Sequence, residues 1–214
     1  MAVLPVNDFS ELSVREFLAA LASSAPTPGG GTAAAIGGAM GAALAEMVAG
    51  LTLSREKFAP VHGVMRSLSE EALRAREDFL VLAREDSEAY DAVVAARRLA
   101  KETEAERDAR AHAIESAGRL ATEVPMRTAR TAARLLAQLP ELVEKGNPNA
   151  LSDAGAAALM LSAAADGALL NVGINLPGIS DAAFVEDMRR ESAAIQAETR
   201  RLSALVLAEV AKRM

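Results

Sequence analysis

A carboxylate stands where an apolar side chain is due. From Val61 the chain places Met65, Leu68, Ala72, Ala75, Phe79 and Leu82 in steps of four and three, the spacing of an apolar helix seam. The next step of four lands on Asp86, and Tyr90 and Val93 then continue the stripe. Burial raises the pKa of a carboxyl group, and such a group near neutral pH can take up a proton and return it, which is general acid–base chemistry. A second reading stays open: the seam rotates at Glu85-Asp86 and both face water.

The loop Pro26-Thr27-Pro28-Gly29-Gly30-Gly31-Thr32 is the other unusual sequence. Several unhindered amides would point from a helix start carrying partial positive charge, a cradle for an anion or polar ligand; a plain tight turn fits equally well. Gly29, Gly31 and Ala34 formally match G-x-G-x-x-A, but a helix rather than a strand precedes them, and no Lys follows the glycines as a Walker A loop requires. Asp166, Asn171 and Asn175 are polar groups in or just after an apolar helix, so each needs a hydrogen-bonding partner, from a neighbouring helix or a ligand. Arg127, Arg130 and Arg134 share one face, either solvated or carboxylate-binding. With no cysteine and only His62 and His112, both read as surface positions, no zinc-type cluster is expected and neither metal nor nucleotide is called for.

The elements that must hold these groups read as helices. Ser13 with Glu16 forms a capping box before Val14, Phe17, Leu18 and Leu21. Beyond the glycines, whose conformations are expected to be open only to Gly, a helix runs from about Thr32 to Leu53. Gly37, Gly38 and Gly41 inside it each cost about 1 kcal/mol relative to Ala, a cost to be offset by close approach of a neighbour. Pro60 opens the seam helix. Thr103 and Glu106 cap another, which Pro125 should kink or break. A short helix runs from Pro140 to Gly146, Asn147-Pro148-Asn149 is a turn, and Ser152 or Asp153 should cap a second Ala-rich helix ending near Asn175. The last helix, about Asp181 to Arg213, carries Met188, Ile195, Leu202 and Val206 on one stripe. No segment reads as a strand.

Composition agrees: 51% hydrophobic but 3% aromatic, so the core is built from Ala, Leu, Val and Met, which suits closely packed helices. One all-α domain over 1–214, a multi-helix up-and-down bundle of long helices, is the expectation. A net charge of −6 argues against nucleic acid as a partner. Ala33 to Leu53 and Ala154 to Leu176 are long enough to span ~30 Å of hydrocarbon, but Glu46 and Asp166 fall within them, and both read as buried helices rather than membrane spans. The N-terminal residues MAVLPVNDFSE lack a basic stretch followed by an apolar one, so the expected compartment is the cytoplasm.

Three blocks taken together resemble the cyclodeaminase domain of formiminotransferase-cyclodeaminase and its stand-alone bacterial relatives, some of which are methenyltetrahydrofolate cyclohydrolases. The first runs from Phe17-Leu18 through the glycine loop to Met47-Val48-Ala49-Gly50-Leu51-Thr52. The second is Glu85-Asp86-Ser87-Glu88-Ala89-Tyr90; the third is Gly146-Asn147-Pro148 to Ser152-Asp153, then Asn171-Val172-Gly173-Ile174-Asn175-Leu176. They span most of the chain from Val14 to Asp181. Thr32 stands where the family commonly has Ser, and Ala100 replaces a Pro often seen before the Lys matching Lys101.

The resemblance implies a helical subunit in a two-fold homodimer with a folate cleft near the subunit interface. It gives an aspartate matching Asp86 the acid–base role, with Pro28, Gly29, Gly30, Gly31, Thr32, Lys101, Asn147, Ser152, Asp153, Asn171 and Asn175 as expected substrate-binding positions. A tetrahydrofolate derivative would be the substrate. In cyclodeamination its bridging nitrogen attacks the formimino carbon and ammonia leaves; in cyclohydrolysis water adds to the methenyl carbon and one carbon–nitrogen bond opens. One carboxyl can serve either proton transfer. The alternative is a folate-binding or structural helical dimer without turnover. The loop would then be tested by Gly30→Val, expected to weaken binding more than folding.

Overall fold

A computed structural model describes residues 9–214; the segment 1–8, which holds most of the stretch read for a leader, lies outside them. Among the described residues there is no strand. Seven α-helices follow in order: α1 Val14–Leu21, α2 Gly30–Leu53, α3 His62–Arg97, α4 Glu104–Leu136, α5 Leu139–Lys145, α6 Leu151–Asn175 and α7 Ala182–Arg213. Short 3-10 turns occupy several of the connections.

The contacts fix the direction of each long helix. Gly31 of α2 lies against Asp86 of α3 and Gly38 against Phe79, so the pair runs antiparallel. Arg127 of α4 meets Glu85 and Arg134 meets Glu71, so α4 runs antiparallel to α3. Gly41 approaches Leu161 and Gly30 approaches Asn171, setting α6 antiparallel to α2. Asp166 of α6 receives hydrogen bonds from Gln196 and Arg200 of α7, while Gly155 lies near Val210. The result is an up-and-down bundle. The seam from Met65 to Leu82 is buried along its whole length, and the stripe on α7 packs inward through Met188, Leu202 and Val206.

The two Ala-rich helices are long and apolar enough to cross a membrane by length and composition. In the fold they pack on each other at the bundle centre. Their carboxylates are paired across helices, Glu46 with Arg76 and Asp166 with Arg200. Asp166 therefore takes the neighbouring-helix reading. The arginine face of α4 binds carboxylates, but those of its own chain: Glu85, Glu123, Glu191, Glu71 and Asp78.

Four local expectations are corrected. The second helix starts at Gly30, not Thr32, so two of the three glycines lie in its first turn. No described glycine has positive φ, so backbone freedom is not what they supply. Of the kink or break expected at Pro125, the break does not occur: α4 is continuous through it, with the ring buried. Neither Ser152 nor Asp153 caps α6, because helical geometry already begins at Leu151 after the 3-10 turn Pro148–Ala150, leaving both in the first turn.

The interior glycines are explained by close approach at two of three positions. A methyl at Gly38 would sit 2.6–2.9 Å from ring atoms of Phe79, and one at Gly41 would press on Leu161 and the Ala157 carbonyl at 3.0–3.2 Å. Gly37 meets nothing within 4 Å. Phe79 is fully buried and cannot swing aside. Gly38→Ala should therefore lose stability by about 1–3 kcal/mol from overpacking, despite the ~1 kcal/mol that helix propensity returns. Gly63→Ala, where a methyl has open space, should instead gain up to about 1 kcal/mol. Urea denaturation of both variants gives the comparison; equal midpoints would remove the packing account of Gly38.

Candidate active site

At one end of the bundle, the start of α2, the last third of α3, the middle of α4 and the end of α6 surround a cavity of about 410 Å³. Its wall includes Pro26, Thr27, Gly29, Gly30 and Gly31 from the loop and α2, Asp86, Tyr90, Val93 and Arg97 from α3, Ala121 from α4, and Asn171, Ile174 and Asn175 from α6. The seam thus does not rotate at Asp86. It continues into the cavity, with Asp86, Tyr90, Val93 and Arg97 separated by four, three and four residues on one face of α3.

Asp86 is held by the helix opposite. The N-cap of α2 is Gly29, which has no side chain to cover the first free amides. Asp86 takes over that duty from α3: its carboxylate accepts from the Thr32 backbone amide, and Oδ2 accepts from the Thr32 hydroxyl at 2.9 Å. Thr32 is fully buried, and its Oγ1 lies 3.2 Å from Oγ of buried Ser87. Since the single Thr32 hydroxyl proton goes to Asp86, Ser87 donates to Thr32, and a short polar chain backs the carboxylate. Gly31 makes this approach possible, because a Cβ there would overlap Asp86 Oδ1 and lie 2.7 Å from Cγ.

Burial pushes the Asp86 carboxyl above its ordinary range, and the two bonds from Thr32 pull it back only in part. The neighbouring Glu85 points away to Arg127 on the α3–α4 surface. Asn171 donates through Nδ2 to the Gly167 carbonyl one turn back, and Asn175 donates through Nδ2 to the Ala121 carbonyl at 2.7 Å. Spaced by four, they present to the cavity from one face of α6.

Of the positions singled out in the sequence, Gly29, Gly30, Gly31, Asp86, Asn171 and Asn175 meet at this cavity, with Thr32 directly behind Asp86 and buried Pro28 in the loop. Asn147, Ser152 and Asp153 do not. They lie at the opposite end of α6, about 30 Å away at 1.5 Å per residue. There the Asn147 amide donates to Thr52 Oγ1 and its side chain accepts from Asn149, closing the turn into α6. Lys101 is exposed in the α3–α4 link and outside the cavity wall. Arg97, Ile174 and Ala121 were missed. One more step of four along the seam from Val93 would have found Arg97; Ile174 and Ala121 carry no signal of their own in the sequence. Among the described residues no three His, Cys, Asp or Glu side chains converge as a metal site would need.

Gly30 keeps its place on the wall for a different reason than loop conformation. A side chain there would have open space except for Asn171 Nδ2 at 3.5 Å, so Gly30→Val would fill the cavity rather than distort the backbone.

The chain is similar to known proteins over nearly its whole length. The chain is 42% identical over 186 residues to the methenyltetrahydrofolate cyclohydrolase of Methylorubrum extorquens, covering 87% of this chain and 89% of that one. It is 35% identical over 209 residues to the formimidoyltransferase-cyclodeaminase of Rattus norvegicus, matching 98% of this chain but only 39% of the longer rat protein. The crystal structure of formiminotetrahydrofolate cyclodeaminase from Thermotoga maritima superposes with a TM-score of 0.85 at 33% identity, over 95% of this chain and 98% of that one. Residues 13–194 match the family model for formiminotransferase-cyclodeaminase, and the chain belongs to that family.

Proposed function

We propose that this chain is a cytoplasmic, homodimeric tetrahydrofolate one-carbon enzyme, a formiminotetrahydrofolate cyclodeaminase or a methenyltetrahydrofolate cyclohydrolase. Asp86 is its general acid–base group. The observation that carries the reading is a carboxyl raised by burial and aimed into a cavity that is otherwise mostly apolar with two carboxamides. The names and coverage of the relatives support the substrate class.

Both reactions make and break bonds to one carbon held between two nitrogens, with protons moved on and off the attached nitrogen and oxygen atoms. In cyclodeamination the bridging nitrogen of the folate forms a bond to the formimino carbon and loses its proton, and the carbon–nitrogen bond to ammonia breaks once that nitrogen is protonated. Asp86 can accept the first proton and deliver the second. In cyclohydrolysis water adds to the methenyl carbon with loss of a proton to Asp86, which then protonates the nitrogen that departs, while the hydroxyl on that carbon releases its proton to solvent as the formyl carbonyl forms. Asn171 and Asn175 offer polar contacts to the flat ring, and Arg97 on the same wall supplies a cation that can pair with a carboxylate tail. Neither sequence of steps calls for a metal or nucleotide.

The dimer is supported by exposed apolar side chains, one of them on the cavity wall. Leu170 and Ile174 of α6 are 75% and 77% exposed in the single chain, and Ile174 is part of the cavity wall. Met40, Met47 and Leu51 are exposed on α2, and Val14 and Leu18 on α1. A second copy covering Leu170 and Ile174 would enclose the cavity.

The deciding experiment offers purified protein each folate in turn and follows methenyl absorbance. A rise with formiminotetrahydrofolate identifies the cyclodeaminase, and a fall with methenyltetrahydrofolate identifies the cyclohydrolase. Binding without turnover of either would favour a folate-binding dimer, and a monodisperse monomer in solution would remove the dimer from the proposal.

A further inference from the structure

Pro125 lies inside α4, and the residue four positions before it is Ala121. In an unbroken helix the amide of residue 125 would donate to the Ala121 carbonyl; proline has no amide, and its ring pushes that carbonyl outward. The carbonyl is taken instead by Asn175 Nδ2 of α6 at 2.7 Å. Both Ala121 and Asn175 belong to the cavity wall. A carbonyl can only accept, so the carboxamide of Asn175 must turn its NH₂ toward Ala121, and it cannot flip without placing two oxygens face to face. With one N–H of the carboxamide held by Ala121, the orientation of what is left is fixed: the second N–H stays on the Ala121 side, and Oδ1, to which no described residue donates, lies on the other.

We infer that Pro125 is a positioning residue: by freeing the Ala121 carbonyl it fixes the Asn175 carboxamide with its oxygen toward the ligand, so that the site selects a ring bearing an N–H donor there over an isosteric ring presenting an acceptor. The inference rests on the folate reading for the identity of that ring, but the orientation of Asn175 does not. A free carboxamide would serve donors and acceptors alike by rotating; a fixed one discriminates, because a misplaced acceptor meets Oδ1 and leaves both unsatisfied.

Pro125→Ala restores the amide, returns Ala121 to the helix ladder and releases Asn175. In ligand-free protein, hydrogen exchange of the Asn175 side-chain amide by NMR should be slow in the wild type and at least about tenfold faster in Pro125→Ala; equal rates overturn the proposal whatever the substrate is. With folate substrate, Pro125→Ala should raise KM about tenfold while kcat stays within about threefold, and it should add nothing to the KM of Asn175→Ala. Additive effects of the two substitutions would show a structural role for the proline and overturn the proposal. If Pro125→Ala does not fold, Asn175→Asp reads the same contact, since it keeps size and acceptor and removes the donor to Ala121; an unchanged KM there overturns it as well. Wild-type protein without folate turnover would defeat the functional reading alone, the exchange measurement still deciding the orientation of Asn175.

Discussion

Asp86→Asn should lower turnover by about 10²–10⁴-fold on whichever folate substrate the wild type accepts, with substrate affinity nearly retained. The substitution keeps size, and the new amide oxygen can still accept from the Thr32 hydroxyl and backbone amide that hold the carboxylate. Only proton exchange is removed. Glu85→Gln is the matched control on the adjacent residue: it loses a half-exposed ion pair with Arg127, a contact whose removal costs about 0–1 kcal/mol of stability and touches nothing in the cavity. A second consequence follows from the direction of the pKa shift. The folded-state pKa of Asp86 is raised by burial, so folded protein holds that proton more tightly than unfolded chain does. The stability this gives is fully present below the ordinary carboxyl range and is lost as pH rises through the raised value. Asp86→Asn, neutral at every pH, should therefore melt above the wild type at neutral pH, with the gap closing as pH falls into the carboxyl range. An active Asp86→Asn would remove the mechanism while leaving the fold and family standing. A variant both inactive and less stable at neutral pH would point to a structural carboxylate instead.

Much of this was legible because helices advertise themselves through period and caps. The two capping boxes, the buried seam from Met65 to Leu82 and the start of α7 beside Asp181 are local patterns, and the structure has them where the sequence places them. Asp86 was visible for the same reason, as a break in a periodic run. What was not legible depends on which helix lies opposite. The glycine loop read as a matter of backbone conformation, whereas no glycine there has positive φ and the requirement comes from Asp86 across the interface. Pro125 read as a kink or a break, because nothing local reveals that Asn175, 50 residues later, supplies the missing partner for Ala121. Asn147, Ser152 and Asp153 carry family-like sequence but stand at the far end of α6, where Asn147 builds a turn; linear order does not say which end of a long helix faces the cavity.

Gly31→Ala should cost catalysis about as much as a misplaced general acid–base group does, on the order of 10²-fold in kcat for a displacement near 1 Å. The added methyl would overlap Oδ1 of Asp86 and come within 2.8 Å of Oδ2, so either the carboxylate or the first turn of α2 must move. The helix cannot yield cheaply, because the next residue, Thr32, is fully buried and bonded to both Asp86 and Ser87. The carboxylate yields, toward the cavity and away from the Thr32 hydroxyl, losing the bonds that hold its pKa down while becoming more exposed. Those two changes oppose each other in pKa but not in position, so the loss should appear in kcat across the whole pH profile rather than as a shift of its limbs. Helix propensity favours Ala over Gly by up to about 1 kcal/mol, so the variant has no propensity reason to unfold. Gly30→Ala is the neighbouring comparison: its methyl would meet only Asn171 Nδ2, at an ordinary 3.5 Å, and should affect KM before kcat. Steady-state kinetics of the two variants, with circular dichroism to establish folding, separates them. Wild-type kcat in a folded Gly31→Ala protein would mean that the contact between α2 and Asp86 does not set the geometry of the reaction, and that the glycine serves packing alone.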